Sequence, residues 1–203
     1  MALILITSAT SEPVTLAEVK AHLNITTTLD DTLLNSYITV ARLQVENYTK
    51  RQLLPATWKR IFRGFPSSTG HIELPRAPLS TVSSNVVITY INSTVAGASS
   101  TTLSATAYHV DYESTPGKVY PTYNNEWPTD DLEVSHSVTI QYVSGYSSAD
   151  KVPDPIKHWI KMRVGEMYEE REPVTVDRIV NVDRRAFNGL LDAYSIEDFT
   201  RYE

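Results

Sequence analysis

Residues 33–45 read Leu-Leu-Asn-Ser-Tyr-Ile-Thr-Val-Ala-Arg-Leu-Gln-Val, and this stretch decides the fold. Its apolar side chains recur every three or four residues, as they do along one face of an α-helix. Asp30 and Asp31 precede it, and acidic side chains favour the N-terminal end of a helix. The spacing predicts a helix over about residues 30–51 with an apolar face formed by Leu33, Leu34, Tyr37, Ile38, Ala41, Val45 and Tyr48.

Two further helices are predicted, one on each side of this element. Thr15-Leu-Ala-Glu18 is a capping box, in which the two polar side chains satisfy free backbone N–H groups at a helix start, and the helix continues to about Leu23. Far downstream, we expect Asp154 to be the N-cap of a helix with Pro155 in its first position. That helix should end near residue 172, with an apolar face of Ile156, Trp159, Ile160, Val164, Met167 and Tyr168.

Between the second and third helices the pattern changes to that of β-strands. Aromatic and β-branched runs bounded by turn residues predict strands at about 58–62, 72–74, 86–91, 108–112 and 138–142. We expect strand 72–74 to pair with strand 58–62. The segments 92–102 and 121–131 are rich in Ser, Thr, Gly, Asn and Asp, which favours exposed loops. The middle of the chain is therefore predicted to be an antiparallel sheet region.

These elements predict an α+β protein with a small helical core of about three main helices, an inserted antiparallel β-sheet region and an extended C-terminal tail. The expected boundaries are 1–55 and 150–173 for the helical core, 56–149 for the β-rich insertion and 174–203 for the tail. The tail carries short apolar clusters without a long periodic run. Such a segment packs on its own core or on a partner, and we expect a partner.

Composition narrows the class of protein. The chain has 203 residues, 41% hydrophobic and 21% charged, which is ordinary for a globular protein. It has no cysteine, which excludes disulfides and thiol chemistry. The apolar run at residues 2–6 is too short to span a membrane and lacks the basic flank of a signal peptide, so we expect a soluble cytoplasmic chain without membrane contact. A formal charge of −6 argues against a protein that grips nucleic acid over its whole surface.

The sequence offers little for catalysis. The five histidines are scattered, no serine lies in a G-x-S-x-G motif, and a glycine-rich phosphate loop is missing. We therefore expect neither an enzyme nor a metal or cofactor site. For a hydrolase, the least poor candidates are His109, Asp111 and Glu113, which strand alternation would place on one face.

Basic residues gather on the predicted helices and in the tail, and most have acidic neighbours. We expect a solvated or subunit-contacting role for Lys50, Arg51, Lys157 and Lys161. A module that contacts DNA through these helices is an alternative, and it predicts a salt-dependent affinity for DNA.

The order of these pieces resembles the phage head-tail connector, or adaptor, proteins, in the longer branch that carries a β-rich insertion. The blocks that carry the resemblance are residues 15–23, 30–49, Trp58, 72–79, 108–111, 138–146, 152–157, 167–172 and the short terminal motif 190–194. The resemblance thus spans about residues 12–172 and the end of the chain, and its specificity comes from the order and spacing of the blocks.

This resemblance implies a structural adaptor in the neck of the virion, assembled in the host cytoplasm. The adaptor would form a homo-oligomeric, twelve-fold ring between the portal protein and the stopper or tail-completion proteins, completing the head. DNA would pass through the ring without specific binding. The resemblance assigns portal docking to the C-terminal segment, with candidates Arg184, Arg185, Leu190, Leu191, Tyr194 and Ile196, and it leaves Lys50, Arg51, Lys157 and Lys161 as subunit-interface or channel candidates. A tail-completion protein, further from the portal, is the nearest alternative.

Overall fold

The structure, a computed structural model, describes residues 2–66, 70–82, 85–91, 100–128, 137–170 and 189–196. The chain divides into two units. One unit comprises residues 1–9 and 55–147 and contains the strands, and the other comprises residues 10–54 and 148–203 and contains the main helices. The predicted α+β class is confirmed.

The helical unit is built from α1 (Leu16–Leu23), α2 (Asp31–Thr49) and α3 (Asp154–Glu169), which pack on one another. The capping box of α1 is confirmed: Glu18 N donates to the Thr15 hydroxyl at 3.2 Å, and Thr15 N donates to the Glu18 carboxylate at 2.7 Å. Asn24 ends α1 in the left-handed conformation, with φ 56°, which asparagine tolerates better than most residues.

The start of α3 differs from the prediction by one residue. Pro153, not Asp154, is the N-cap, because the backbone N–H groups of Ile156 and Lys157 both donate to the Pro153 carbonyl. Asp154 is therefore the first helical residue and its side chain makes no capping hydrogen bond. Its negative charge still lies in the first turn, where the helix dipole favours it.

The core of the helical unit comes from all three helices and from the segments that flank them. Periodicity predicted four α2 members of this core correctly, whereas Tyr48 was wrongly expected in it and is 42% exposed. The buried apolar residues are Val14, Val19, Leu34, Ile38, Ala41, Val45, Leu53, Leu54, Val152, Ile156, Trp159, Ile160, Val164 and Leu191.

The strand unit contains two antiparallel sheets. The five-stranded sheet has the order β1-β2-β8-β4-β5 and the three-stranded sheet has the order β3-β7-β6. The strands are β1 (Ala2–Thr7), β2 (Ala56–Phe62), β3 (Ile72–Leu74), β4 (Val87–Ile91), β5 (Ser100–Thr102), β6 (Tyr108–Asp111), β7 (Gly117–Pro121) and β8 (Val138–Ser144). Their buried faces form one core that includes Phe62, Leu74, Ile88, Val119, Ile140 and Tyr142.

One predicted strand pairing is wrong. β3 pairs with β7, with Ile72 opposite Val119, and not with β2. The physical reason is that both edges of β2 are already occupied, by β1 on one side and by β8 on the other. β1 and β7 were not predicted as strands, and β5 lies in a segment that was predicted to be a loop.

Candidate interaction surfaces

The charged residues of α2 are buried or paired with another residue of the chain. This helix has only three of them, Asp31, Arg42 and Glu46. Asp31 accepts a hydrogen bond from the Lys20 ammonium at 2.7 Å, and Arg42 and Glu46 are each only 5% exposed. An exposed helix of a soluble protein normally carries its charges on the face opposite the core. In α2 the charges of Arg42 and Glu46 lie on the buried side instead.

A buried network accounts for the position of these charges. Arg42 Nε donates to Glu12 at 2.7 Å, and its Nη1 donates to Glu46 at 3.0 Å. The other oxygen of Glu46 accepts from Gln52 Nε2 at 2.7 Å and from Leu53 N at 3.2 Å. Burial lowers the pKa of Arg42, but the hydrogen bonds and charges of Glu12 and Glu46 outweigh it and raise that pKa above the ordinary value. The charges of Arg42 and Glu46 are thus satisfied inside the unit.

The outward side of α2 is left without charge. We call this surface the α2 outer face, and it consists of Thr32, Asn35, Ser36, Val40, Leu43, Asn47 and Tyr48. Val40 is 42% and Leu43 is 44% exposed, and residues three apart lie side by side on a helix. Exposed apolar side chains on a surface without charge are typical of a protein contact and unusual for a solvated helix.

Strand β1 is a second apolar surface. It is the edge strand of the five-stranded sheet, and within the described residues only β2 pairs with it. Leu3, Ile4, Leu5 and Ile6 are 37%, 43%, 43% and 51% exposed, and no charged residue occurs before Glu12. Exposed edge strands are usually protected by charges, prolines or bulges, because an open apolar edge pairs with other chains. Only the register shift between Leu5 and Thr7 interrupts this edge.

The two surfaces hold most of the large hydrophobic side chains that the described residues expose. Eleven such side chains are exposed; four are in β1, and four more, Leu29, Val40, Leu43 and Tyr48, are in or next to α2. The remaining three, Val82, Val87 and Tyr123, are in the strand unit outside β1. Scattered exposed hydrophobic residues need no explanation, whereas concentrated ones mark interaction sites.

The C-terminal residues 189–196 pack on the end of α2. Leu191 is fully buried, Arg51 Nε donates to the Tyr194 carbonyl at 2.6 Å, and the Tyr48 hydroxyl donates to Asp192 at 2.6 Å. Ile196 N also donates to the Thr49 carbonyl. In this structure Leu191 therefore belongs to the chain's own core. Leu190, Tyr194 and Ile196 are half-buried, and Arg184 and Arg185 lie outside the described residues. A role of these residues in docking a partner stays a prediction.

The four basic interface candidates fall into two groups. Lys50 is exposed at the C-terminal end of α2, next to Arg51, which holds the C-terminal segment. Lys157 and Lys161 lie near Glu18 on α1. Hydrogen bonds from Thr15 lower the pKa of Glu18 most, and the charges of the two lysines lower it further. The sequence did not predict that Arg51 donates a hydrogen bond within its own chain. Its acceptor, the Tyr194 carbonyl, is 143 residues away.

The three hydrolase candidates do not share one strand face. β6 ends at Asp111, so Glu113 is in the following turn and not on the strand face with His109. The Asp111 carboxylate accepts from the backbone N–H groups of Glu113 and Ser114, and hydrogen bonds from Ser114 above all lower its pKa. Asp111 thus stabilises a turn.

The strand unit also has an open groove of about 440 Å³, which is lined mainly by apolar side chains and by His109. Among the described residues no three histidine, aspartate or glutamate side chains are grouped so that they could hold a metal ion. Within the same residues no helix is long and apolar enough to cross a membrane.

Residues 13–117, just over half of the chain, match the sequence model of a family described as phage gp6-like head-tail connector protein. No curated protein matches the chain. Solved structures share its fold. A chain described as the neck of an empty GTA particle computed with C6 symmetry superimposes with TM-score 0.74 at 17% identity, covering 97% of this chain and 96% of that one. A chain from the neck of a native GTA particle computed with C12 symmetry gives TM-score 0.74 at 16% identity over the same shares.

Removing the positive charge of Arg42 tests whether the buried network stabilises the helical unit. We expect Arg42→Met to lower the free energy of unfolding by about 3–5 kcal/mol, because the Glu46 carboxylate would remain buried without its cation. Glu12→Gln should have a smaller effect, since the Glu12 side chain is 29% exposed and can be hydrated. Urea denaturation at neutral pH measures both values. A loss below 1 kcal/mol (roughly that of a surface ion pair) for Arg42→Met would show that the network is not holding the helix.

The packing of the C-terminal segment is tested by two neighbouring leucines. Leu191→Ala should destabilise the isolated chain by about 2–5 kcal/mol, because it leaves a cavity in the core. Leu190→Ala is the matched control, with a smaller loss expected, because that side chain is only half-buried. Thermal unfolding of both variants provides the comparison, and equal midpoints for the two would contradict the observed burial.

Proposed function

This chain belongs to the phage gp6-like head-tail connector family, and on that premise we propose that it is a structural adaptor of a phage neck. In this proposal, copies of the chain form a ring between the portal and the stopper or tail proteins, complete the head and extend the channel through which DNA leaves. The family is defined by a structural role and not by a reaction, which supports a protein without enzymatic activity.

The observation that carries the proposal is the charge-free α2 outer face. A closed ring needs two different surfaces on each subunit, and both must be largely desolvated when the ring forms. Val40 and Leu43 offer apolar area, and the burial of Arg42 and Glu46 removes the charges that would oppose desolvation. The similar chains come from necks described with C6 and C12 symmetry, which supports a ring of twelve copies.

We assign portal docking to the C-terminal segment. Leu191 would fix residues 189–196 to the end of α2, while the half-buried Leu190, Tyr194 and Ile196 retain surface for the partner. Arg184 and Arg185 would add positive charge, which steers association with an acidic surface and is screened by salt.

The charge distribution favours a passive channel over a DNA-binding module. Lys20 is paired with Asp31, Arg42 is enclosed by two glutamates, and Lys157 lies 3.7 Å from Asp154. With a formal charge of −6, the chain has little to hold phosphates, so DNA can slide past it. The DNA-binding alternative requires a basic stripe, and these pairings count against one.

The test is to image the full-length protein mixed with its own portal by negative-stain electron microscopy, alongside Arg184→Glu/Arg185→Glu. The native chain should form rings that cap the portal, and the double variant should bind the portal about tenfold more weakly at low salt, as expected for two lost surface charge pairs. The matched control is Arg63→Glu/Lys151→Glu, which reverses two exposed charges outside the tail and should leave capping unchanged.

Two other outcomes would change the assignment. If the native chain ignores the portal but caps purified tails, it is a tail-completion protein. If the tail and control variants lose capping equally, the docking role of the C-terminal segment is wrong, although the ring position can stand.

A further inference from the structure

We propose that β1 of one copy packs against the α2 outer face of the next copy, so that these two surfaces form the seam between neighbouring subunits of the ring. This inference rests on the proposed function, because it requires that copies of the chain form a ring. It names the residues of the two surfaces that meet. It also gives a partner to β1, whose open edge pairs with no strand among the described residues.

The two surfaces are different, and each subunit carries both. A ring is closed by a head-to-tail contact, in which one surface of a subunit meets another surface of its neighbour. Eight of the eleven large hydrophobic side chains exposed among the described residues lie in β1 or in residues 29–48. An isologous pairing of β1 with β1 would instead give a closed dimer.

The two surfaces also match in charge. β1 has no charged residue, and neither does the α2 outer face, at whose C-terminal end Tyr48 donates a hydrogen bond to the exposed Asp192. The other main helices do expose charges, Glu18 on α1 and Asp154 and Glu169 on α3. Covering any of these charges with an apolar strand would remove its water without supplying a counter-charge, which is unfavourable. Among the three main helices, the part of the α2 outer face around Val40 and Leu43 is therefore the surface that β1 can cover without that penalty.

The geometry of β1 also suits this contact. Leu3 and Leu5 lie opposite Arg60 and Trp58 of β2, whereas Ile4 lies opposite Lys59, on the other face of the strand. The strand thus presents apolar side chains on both of its faces, while its open edge carries backbone N–H and C=O groups. A helix ridge such as Val40 and Leu43 can pack against the side chains of one face, which leaves the backbone groups of the open edge accessible to water.

Disulfide crosslinking tests the seam directly, because the natural chain has no cysteine. In full-length protein assembled on its portal and mildly oxidised, Ile4→Cys/Leu43→Cys should give a ladder of covalent oligomers up to the size of the ring. Neither single variant should give more than traces of dimer. The matched control is Ile4→Cys/Tyr123→Cys, in which the second site is 90% exposed but outside both surfaces, and it should give no ladder.

A charge-exchange pair provides a second readout that does not depend on disulfide geometry. Ile4→Lys alone and Leu43→Glu alone should each abolish rings on the portal, because each places one uncompensated charge in the seam. Combining both in one chain should recover rings, because the two charges would face each other between neighbours. Far-ultraviolet circular dichroism of each variant should match that of the native chain, since both side chains are exposed.

The outcomes separate the seam from the proposed function. If native rings form on the portal but the Ile4→Cys/Leu43→Cys variant gives no ladder while it still assembles, the seam is overturned and the ring function stands. Efficient dimers from Ile4→Cys alone would overturn it in favour of β1–β1 pairing. If the native chain forms no ring with its portal, the proposed function itself fails, and the seam fails with it.

Discussion

The ion pair between Arg42 and Glu46, extended by Glu12 and Gln52, is the interaction on which the rest of the structure depends. Because these groups satisfy one another inside the helical unit, α2 keeps the charges of Arg42 and Glu46 away from solvent. Its opposite side is then free to carry Val40 and Leu43 without nearby charge. The exposed apolar side chains of the α2 outer face favour contact with another protein, because only a second protein surface removes their apolar area from water.

Periodicity predicted the helices well because the buried residues of each helix recur at a short, regular spacing in the sequence. Leu34, Ile38, Ala41 and Val45 recur on one side of α2, and the capping box fixes the start of α1 within four residues. The burial of Arg42 and Glu46 could not be predicted in the same way. Glu12 is 30 residues from Arg42, and a charged residue in a helical pattern is ordinarily expected to face water. Strand pairing could not be predicted for the same reason, since it depends on residues far apart in the sequence. β1 pairs with a strand more than fifty residues later, and β3 pairs with β7 because both edges of β2 are occupied.

The family could be identified from the order and spacing of sequence blocks, and the match over residues 13–117 confirms that resemblance. The candidate surfaces were harder to find. The apolar clusters of the tail predicted contact with a partner, yet Leu191 packs in the chain's own core, because the end of α2 supplies acceptors and donors for residues 189–196. From the sequence, the apolar run of β1 indicated only that it is too short to span a membrane. Its position at a sheet edge, which is a tertiary fact, is what makes it a candidate interface.

The central claim is that the α2 outer face is covered by protein in the assembled neck. It is tested most directly by the rate at which a maleimide reagent labels a Leu43→Cys variant in the isolated chain and in rings on the portal, with Tyr123→Cys as the reference position. The account predicts rapid labelling of both variants in the isolated chain, and in the ring strong protection at position 43 with little change at position 123. Equal labelling of Leu43→Cys in the isolated chain and in the ring would contradict it.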